Sequence, residues 1–192
     1  MITIENDNEK KVFSLLKDIK EKFENKNFYE CEFLNCDFSE SDLTKSRFFD
    51  CKFFSCNLSN VKFVNTRIQN VLFEECKLLG INFEECDQFL LKINFKKSMI
   101  RNCIFNNMNL TNTKFNESEI LDCDFTNTNL ENSDFSQTNL LGSNFNNCIL
   151  SRVNFLDSKD YIINPMKNEL TKARFSIPEV LGLLEEFDII IE

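Results

Sequence analysis

A large apolar residue recurs at every fifth position through most of this 192-residue chain. The series is unbroken from Phe28 to Phe83, then slips by two residues, resumes in our alignment at Leu90 and runs to Phe155. Its 26 members are 15 Phe, 8 Leu and 3 Ile. A period of five fits neither an α-helix, with about 3.6 residues per turn, nor a simple strand with a period of two. This repeat therefore constrains the fold more than any other feature of the sequence.

The residue two positions before each large apolar residue is restricted as well. It is Cys at 8 places, Ser at 6, Thr at 4 and Val at 3. In an extended segment, two residues separated by one position point to the same side, and the residue between them points to the other. The remaining two residues of each repeat are free to turn a corner. We therefore predict a coil with corners, whose narrow core is filled by alternating large and small side chains.

This pattern explains the 9 cysteines of the chain. Eight of them occupy the small inward positions, and Cys86 occupies the one that the register before the slip would give. We therefore predict buried core thiols, a role that free cysteine commonly fills. A zinc site is disfavoured because the chain has no histidine and stacked cysteines form a line instead of a tetrahedron. Nucleophilic catalysis is disfavoured because a buried thiol without a cationic neighbour stays protonated. The cysteines are Cys31, Cys36, Cys51, Cys56, Cys76, Cys86, Cys103, Cys123 and Cys148.

Composition limits the classes of function. No basic N-terminal region precedes an apolar segment, and no apolar run approaches the ~18 residues that span a bilayer. We therefore expect a cytoplasmic protein that has no membrane contact and no disulfides. The net charge of -9 argues against direct nucleic-acid binding and allows a basic partner. Without histidine or a nucleotide-binding fingerprint, we expect no enzyme activity, no cofactor, no metal and no small-molecule substrate.

The repeats resemble those of the pentapeptide-repeat proteins, written A(D/N)Lxx. Stretches that match this motif closely include CDFTN (123–127), TNLEN (128–132) and SDFSQ (133–137). The resemblance implies an all-β solenoid, a right-handed quadrilateral β-helix with four repeats and so twenty residues per coil. On that basis the repeats make six and a half coils, and the shaft is about 31 Å long at a coil rise of ~4.8 Å.

The flanking segments are expected to close the two ends of the solenoid, because open strand edges invite aggregation. We predict an amphipathic capping helix in residues 1–25, whose alternative role is to recruit a partner. The repeat region then spans 26–157 with its slip at 84–90, and 158–192 form a C-terminal capping and dimerisation module. The apolar residues at helical spacing are Val12, Phe13, Leu15, Leu16, Ile19 and Phe23.

The C-terminal module is predicted to contain a helix and a strand. Ser176 and Glu179 have the spacing of a capping box, so a short helix should begin there, and FDIIIE should follow as a strand. These elements would leave an apolar patch on a monomer, which a second copy would cover. The candidate dimer-interface residues are Leu181, Leu183, Leu184, Phe187, Ile189, Ile190 and Ile191.

The tail also resembles a particular branch of the family. The run NELTKARFSIPEVLGLLEEFDIIIE, with the preceding YIINP, is similar to the C-terminal dimerisation module of the Qnr-type and MfpA-type proteins, which protect DNA gyrase and topoisomerase IV from quinolones. The slip at CDQFLLKINF (86–95) is similar to one in chromosomal Qnr-like members. The unbroken repeats leave no room for the two projecting loops of plasmid-type Qnr proteins. The resemblance is therefore to the loopless, chromosomal kind.

That resemblance implies a DNA mimic, which occupies a basic DNA-binding surface of gyrase or topoisomerase IV. A surface that attracts phosphates also attracts carboxylates. The outward residues give a charge of +1 on the face of Phe28 and Phe48, and -2 on each of the other three faces. The candidate topoisomerase-facing acids lie in the half of the shaft nearer the predicted dimer joint. They are Glu117, Glu119, Asp122, Asp124 and Asp134.

Several alternatives stay open at this stage. The acids could simply keep a rod-shaped protein soluble. The outward asparagines Asn109, Asn129, Asn139 and Asn144 are expected to hydrogen-bond between stacked coils. At the level of function, the alternatives are an immunity protein against a gyrase-directed toxin, or a repeat scaffold that binds an unrelated protein.

Overall fold

The computed structural model describes residues 4–17, 23–187, 189 and 190, except for the side chain of Glu186. These residues form a parallel β-solenoid of about 8 turns with almost no helix. Consecutive coils pair in register, so that Asn27 lies beside Arg47 and Arg47 beside Arg67. The predicted solenoid of twenty-residue coils is confirmed. No helix in the described ranges is long and apolar enough to cross a membrane.

Short strands form some sides of the coils and isolated β-bridges form others, and the described residues also include three short 3-10 helices. The largest sheet has the order β1-β3-β5-β7-β6-β4-β2, with β9 paired to β7; the others are β11-β10-β8 and β12-β13. The strands are β1 Asp7–Glu9, β2 Val12–Ser14, β3 Asn27–Tyr29, β4 Glu32–Leu34, β5 Arg47–Phe49, β6 Lys52–Phe54, β7 Arg67–Glu74, β8 Lys77–Leu79, β9 Asp87–Lys96, β10 Met99–Arg101, β11 Glu119–Leu121, β12 Asn154–Phe155 and β13 Arg174–Phe175. The 3-10 helices are Phe83–Glu85, Glu179–Leu183 and Glu185–Phe187.

The corners of the coils depend on backbone in the left-handed region. The residue two positions after the inward apolar residue has a positive φ in almost every repeat, for example 60° at Asn112 and 59° at Asn127. Asparagine tolerates this region better than most residues, which explains its frequency at the corners. Gly142 takes such a corner with φ 73°. A Cβ atom there would lie 2.4 Å from Asp122 Oδ1, so any other residue at this corner would have to displace the Asp122 carboxylate.

The core is a set of phenylalanine ladders. All 26 predicted inward residues except Leu90 are buried. Rings one coil apart stack, as in Phe105 and Phe125, whose centroids lie 4.8 Å apart with ring planes at 4°. The small inward residues satisfy their polar atoms on the coil below: Thr66 Oγ1, for example, donates to the carbonyl of Leu43 at 2.7 Å. The predicted alternation of large and small side chains in one narrow core is confirmed.

The first coil lies where a helix was expected. Residues 7–9 form β1 and residues 12–14 form β2, and these strands pair in register with β3 and β4. The predicted capping helix is therefore wrong for this segment; residues 18–22, which include Ile19, lie outside the described residues. β1 and β2 each form backbone hydrogen bonds with a parallel neighbour, β3 or β4. A helix laid over the end would leave the backbone groups of β3 and β4 without these partners.

Spacing explains why this segment joins the solenoid. Phe13 and Phe23 are fully buried and fall on the five-residue series that leads to Phe28. Asn8 occupies the inward position before them and is also fully buried. Its Nδ2 donates to the carbonyl of Glu5 at 2.9 Å, which satisfies a polar group inside the first coil.

The register slip is a bulge in β9. Pairing between β7 and β9 shifts at two points, and residues 88–91 lie opposite the single inward residue Ile68. Leu90 was predicted to resume the core series, and this is wrong: it is 67% exposed. Leu91 packs against the core in its place. Leu90 and Leu91 are adjacent in the chain, and only the strand pairing decides which of them points inward.

The C-terminal end continues the solenoid beyond residue 157. β12 pairs with β13, and the Phe175 ring stacks on Phe155 with centroids 5.2 Å apart. A helix does begin at Glu179, but it is a 3-10 helix with Pro178 as N-cap and no side-chain capping bond. The predicted capping box is therefore wrong, because Ser176 Oγ instead accepts a hydrogen bond from the backbone N–H of Asp157. Of the predicted strand FDIIIE, the described residues after the last helix, 189 and 190, are not in a strand.

Candidate functional site

The predicted topoisomerase-facing acids cluster around one coil. Glu117 lies at the corner before β11, Glu119 lies within β11, and Asp122 lies at the corner after it. Together these three cross one side of the shaft from corner to corner. Asp124 lies on the next side of the same coil, and Asp134 lies one side before Glu119 in the coil that follows. We call Glu117, Glu119 and Asp122 the acidic row.

Two members of the acidic row are partly neutralised by cations of the previous coil. Glu117 lies 3.6 Å from Lys97 Nζ. Asp122 lies 3.2 Å from Arg101 Nη2. All four side chains keep a third or more of their surface exposed, so each pair is weak and easily exchanged for another partner. Within the described ranges, the Glu119 carboxylate makes no hydrogen bond or ion pair, which leaves it the most available acid of the row.

Asp124 and Asp134 hold the corners of their own repeats. Asp134 Oδ1 accepts hydrogen bonds from the N–H of Ser136 at 2.9 Å and from Asn154 Nδ2 at 2.9 Å. Burial raises the pKa of Asp124, but hydrogen bonds from Thr126, Asn106 and Asn144 outweigh it, so this pKa lies below its usual value. Both side chains therefore stabilise the fold. The charge of these residues in the sequence does not distinguish this structural role from a role in binding.

The outward asparagines behave like these aspartates. The side-chain oxygens of Asn109, Asn129 and Asn139 accept hydrogen bonds from the backbone N–H two residues later. Among the described residues, Asn144 is the one of the four whose side chain bonds between coils, donating to Asp124 Oδ1 at 3.1 Å. The expectation of hydrogen bonding between coils is therefore correct for Asn144 and wrong for the other three. Their local turn-type bonds stabilise each corner.

The cysteines are buried free thiols, as predicted. Cys56 Sγ donates to the carbonyl of Phe33 at 3.3 Å and accepts from the backbone N–H of Cys36 at 3.4 Å. Burial raises the pKa of Cys51 to about 12 and that of Cys148 to about 11. A thiol whose pKa is raised in this way is a poor nucleophile and a poor metal ligand. In the part of the chain that the structure describes, no group of three or more potential ligands could hold a metal ion.

The candidate dimer residues differ in how far they are exposed in the single chain. Leu183 packs against the core of its own chain. Leu181 is 44%, Phe187 45% and Ile190 90% exposed. Leu184 is partly buried and Ile189 is exposed, whereas Ile191 lies outside the described residues. An exposed apolar surface therefore lies at the end of the chain, mostly on residues after the Leu183 contact.

The sequence reading missed a projecting apolar site at the register slip. Phe89 is 63% exposed, and the guanidinium of Arg67 lies 5.6 Å from the centre of its ring. Arg67 also bonds the carboxylate of Asp87 at 2.7 Å. The Gln88 amide donates to three backbone carbonyls of residues 83–86, which fixes the bulge. The two extra residues in the repeat indicated an irregularity, but not the direction of its side chains.

Comparisons with known proteins agree with this architecture. A family model described as a pentapeptide repeat region matches residues 26–97, 82–155 and 98–175. A trypsin-treated variant of QnrB1, described as a plasmid-mediated fluoroquinolone resistance protein, matches with a TM-score of 0.63 and 15% identity over 97% of this chain and 100% of the other. A second such variant matches with a TM-score of 0.64 and 16% identity over 95% and 99%. No curated protein matches the sequence. At these identities the structural likeness shows the fold alone.

Proposed function

The chain belongs to the pentapeptide-repeat family, and from that premise we propose that it is a non-enzymatic DNA mimic that binds DNA gyrase or topoisomerase IV and protects it from fluoroquinolones. The observation that carries the proposal is the likeness of fold to QnrB1 along 97% of the chain. QnrB1 is itself described as a fluoroquinolone resistance protein. The nine thiols, buried and unpaired, suit a reducing compartment, and we propose the cytoplasm.

Charge supports the proposal and also limits it. About 8 turns at a rise of ~4.8 Å give a shaft of about 38 Å. Duplex DNA of that length carries about 22 phosphates, at one charge per ~1.7 Å. The whole chain carries a net charge of only -9. The shaft therefore cannot reproduce the negative potential of DNA along its whole length. Local groups such as the acidic row must provide most of the electrostatic attraction.

Within the acidic row, we propose that Glu119 makes the leading contact. Its carboxylate has no partner among the described residues, so no ion pair has to break before it meets a cation of the enzyme. Glu117 and Asp122 would exchange Lys97 and Arg101 for cations of the enzyme, and each exchange is close to neutral in free energy at an exposed site. Asp124 and Asp134 are proposed to act only by their charge, because their oxygens already hold the corners.

We further propose that the protein acts as a homodimer joined through the C-terminal module. The exposed Phe187 and Ile190 support a joint at that end. Two shafts placed end to end would make a rod of about 76 Å, twice the length of one shaft at the same coil rise. Such a rod would present the acidic row twice, once on each side of the joint.

A gyrase supercoiling assay tests the proposal. The full-length protein would be titrated with and without a fluoroquinolone at an inhibitory concentration. We expect supercoiling to recover as protein is added, and the recovery to weaken at raised salt because the contacts are ionic. The variant Glu119→Lys should weaken protection, whereas Glu32→Lys, a change of equal charge near the other end of the shaft, should weaken it less.

Each other result identifies an alternative. Inhibition without rescue would indicate DNA mimicry without protection. Equal effects of the two variants would mean that net charge, and not the acidic row, drives binding. No effect of the wild-type protein on either gyrase or topoisomerase IV would contradict the proposal and favour a scaffold for an unrelated protein.

A further inference from the structure

Outward aromatic rings line the side of the shaft that β3, β5 and the first part of β7 form. Tyr29 and Phe49, one coil apart and partly exposed, stack with ring centroids 5.2 Å from each other and ring planes at 2°. Phe89 projects from the bulge in β9 above them, with Leu90 beside it. We call Tyr29, Phe49 and Phe89 the aromatic strip. Exposed large apolar side chains that lie close together indicate an interaction surface.

Hydrogen bonds hold Phe89 in its exposed position. Its backbone N–H donates to Asp87 Oδ1 at 2.9 Å, and its carbonyl accepts from Gln69 Nε2 at 3.4 Å. The Asp87 carboxylate also accepts from Arg67 Nε at 3.0 Å and from Nη2 at 2.7 Å, and this places the guanidinium beside the Phe89 ring. A partner that contacts this ring therefore loses little free energy in ordering it, because the protein has ordered it already.

The charges around the aromatic strip suit an anionic partner. With Asp87 included, the outward charges of this side sum to zero, whereas each of the other three sides sums to -2. Arg47 and Lys92 are exposed here, and within the described ranges neither side chain makes a hydrogen bond or an ion pair. The carboxylates of Glu30 and Asp50, at the adjoining corner, already have partners in the chain. Two cations are thus left available on this side.

The aromatic strip and the acidic row lie on opposite sides of the shaft. The strip shares its side with Ile68, and the acidic row shares its side with Leu78. Ten residues, half of a twenty-residue coil, separate these two inward positions. A partner on the strip would therefore leave the acidic row free, so the inference does not rest on the proposed function.

We propose that the aromatic strip docks an acidic, apolar segment of a partner protein. The apolar side chains of that segment would cover Phe89 and Leu90, and its carboxylates would pair with the two available cations. Arg47 and Lys92 lie two coils apart, roughly 10 Å along the axis, which an extended segment spans in three residues. An anionic membrane is a poorer fit, because it would repel a chain with a net charge of -9.

Fluorescence anisotropy with the full-length protein tests the proposal. The probe is a fluorescein-labelled peptide with two glutamates three positions apart and a phenylalanine and a leucine between them. We expect saturable binding that weakens at raised salt. A peptide with lysines in place of the glutamates should bind at least tenfold more weakly, and so should one with serines in place of the phenylalanine and leucine.

Variants of the protein locate the contact. Phe89→Ser and Arg47→Glu should each raise the dissociation constant of the acidic peptide at least fivefold. The matched controls are Leu141→Ser and Lys114→Glu, the same kinds of change at exposed positions on other sides of the shaft, and they should change it less than twofold. Circular dichroism melts would show that the four variants keep the wild-type fold.

Hydrogen exchange on the wild-type protein keeps the inference testable if a variant unfolds. The acidic peptide should slow exchange at residues 47–49 and 87–92. Slower exchange confined to other coils, equal affinity for the lysine peptide, or no binding of the acidic peptide at millimolar concentration would overturn the proposal. Binding to phosphatidylserine vesicles that Phe89→Ser abolishes would overturn it in favour of a membrane surface.

Discussion

The ring centroids of Phe115 and Phe135, one coil apart, lie 4.5 Å from each other with only 9° between the ring planes. Phe115 also stacks on Phe95 below it at 5.1 Å and has no exposed surface. Each inner ring is therefore held on both sides along the axis of the solenoid. The backbone of neighbouring coils is fixed by hydrogen bonds, so the core cannot collapse into a space left by a missing ring.

We predict that Phe115→Ala lowers the free energy of unfolding by about 3–5 kcal/mol, the loss expected for a large aromatic side chain in a core that relaxes little. Chemical denaturation followed by circular dichroism would measure it. The matched control is Phe49→Ala, which removes an outward ring that stacks on Tyr29 at 5.2 Å. The control should lose less than about 1.5 kcal/mol. Comparable losses in the two variants would contradict a core dominated by the inner ladder.

The corners provide a second prediction. Asn112 has φ 60°, a conformation that disfavours a β-branched side chain by about 1–2 kcal/mol. Asn112→Val should therefore lower the free energy of unfolding by that amount, whereas Asn112→Gly should change it by less than about 1 kcal/mol. Thr111→Val, one position earlier and without a positive φ, is the control for adding an exposed valine. If all three variants unfold alike, the corner does not constrain its residue.

The regular coils could be predicted from the sequence because nearly every repeat has a large apolar residue at the same position and a small residue two places earlier. Phe33, Phe38 and Phe48 each mark an inward position, and Cys or Ser two places earlier marks the small one. The first coil was missed because the pattern there is incomplete: Asn8 is polar yet fully buried. Its burial depends on hydrogen bonds to the backbone of Glu5 and Asn27, which no periodicity reveals.

The candidate site could be predicted less well, for a physical reason. Charge identifies Glu119 and Asp134 equally from the sequence. Only the structure shows that Asp134 holds a corner through Ser136 and Asn154, while Glu119 is unpaired among the described residues. The small cleft near the C-terminal end could not be predicted either, because its lining combines residues 141–146 with residues 160–164, where the chain departs from the period of five.

The buried thiols predict how stability depends on pH. Burial raises the pKa of Cys51 from 9.0 to about 12 in the folded chain. Between these values the unfolded chain loses the proton while the folded chain keeps it, so stability falls as pH rises through the window from 9 to about 12. One such thiol contributes a slope of about 1.4 kcal/mol per pH unit.

Urea denaturation at a series of pH values would measure this slope. Cys51→Val is a suitable variant, because Val71 occupies the corresponding position one coil above. Its slope above pH 9 should be shallower than that of the wild type, with little difference between the two proteins at pH 7. A wild-type stability that is flat from pH 9 to 11 would contradict the predicted titration. Equal slopes would show that Cys51 does not contribute.

The bulge in β9 yields a prediction about the role of the register slip. Deleting Gln88 and Phe89 would join Asp87 to Leu90 and restore a five-residue repeat, with Leu90 in the inward position and Lys92 at the corner. We expect the deletion variant to fold as a solenoid with a melting temperature within a few degrees of the wild type, because a regular coil replaces an insertion.

The same deletion removes the three hydrogen bonds from Gln88 to backbone carbonyls and the Phe89 ring beside Arg67. If the deletion variant melts as expected, folding does not require these contacts. Deleting Asn106 and Asn107, two residues of a regular repeat, is the matched control. It would place every later inward residue out of register with the coil below, and it should abolish the cooperative melt. A deletion at the bulge that is as damaging as the control would show that the slip stabilises the solenoid. If the bulge deletion melts normally, the exposed Phe89 and Leu90 are a feature of the surface that the fold tolerates and does not need.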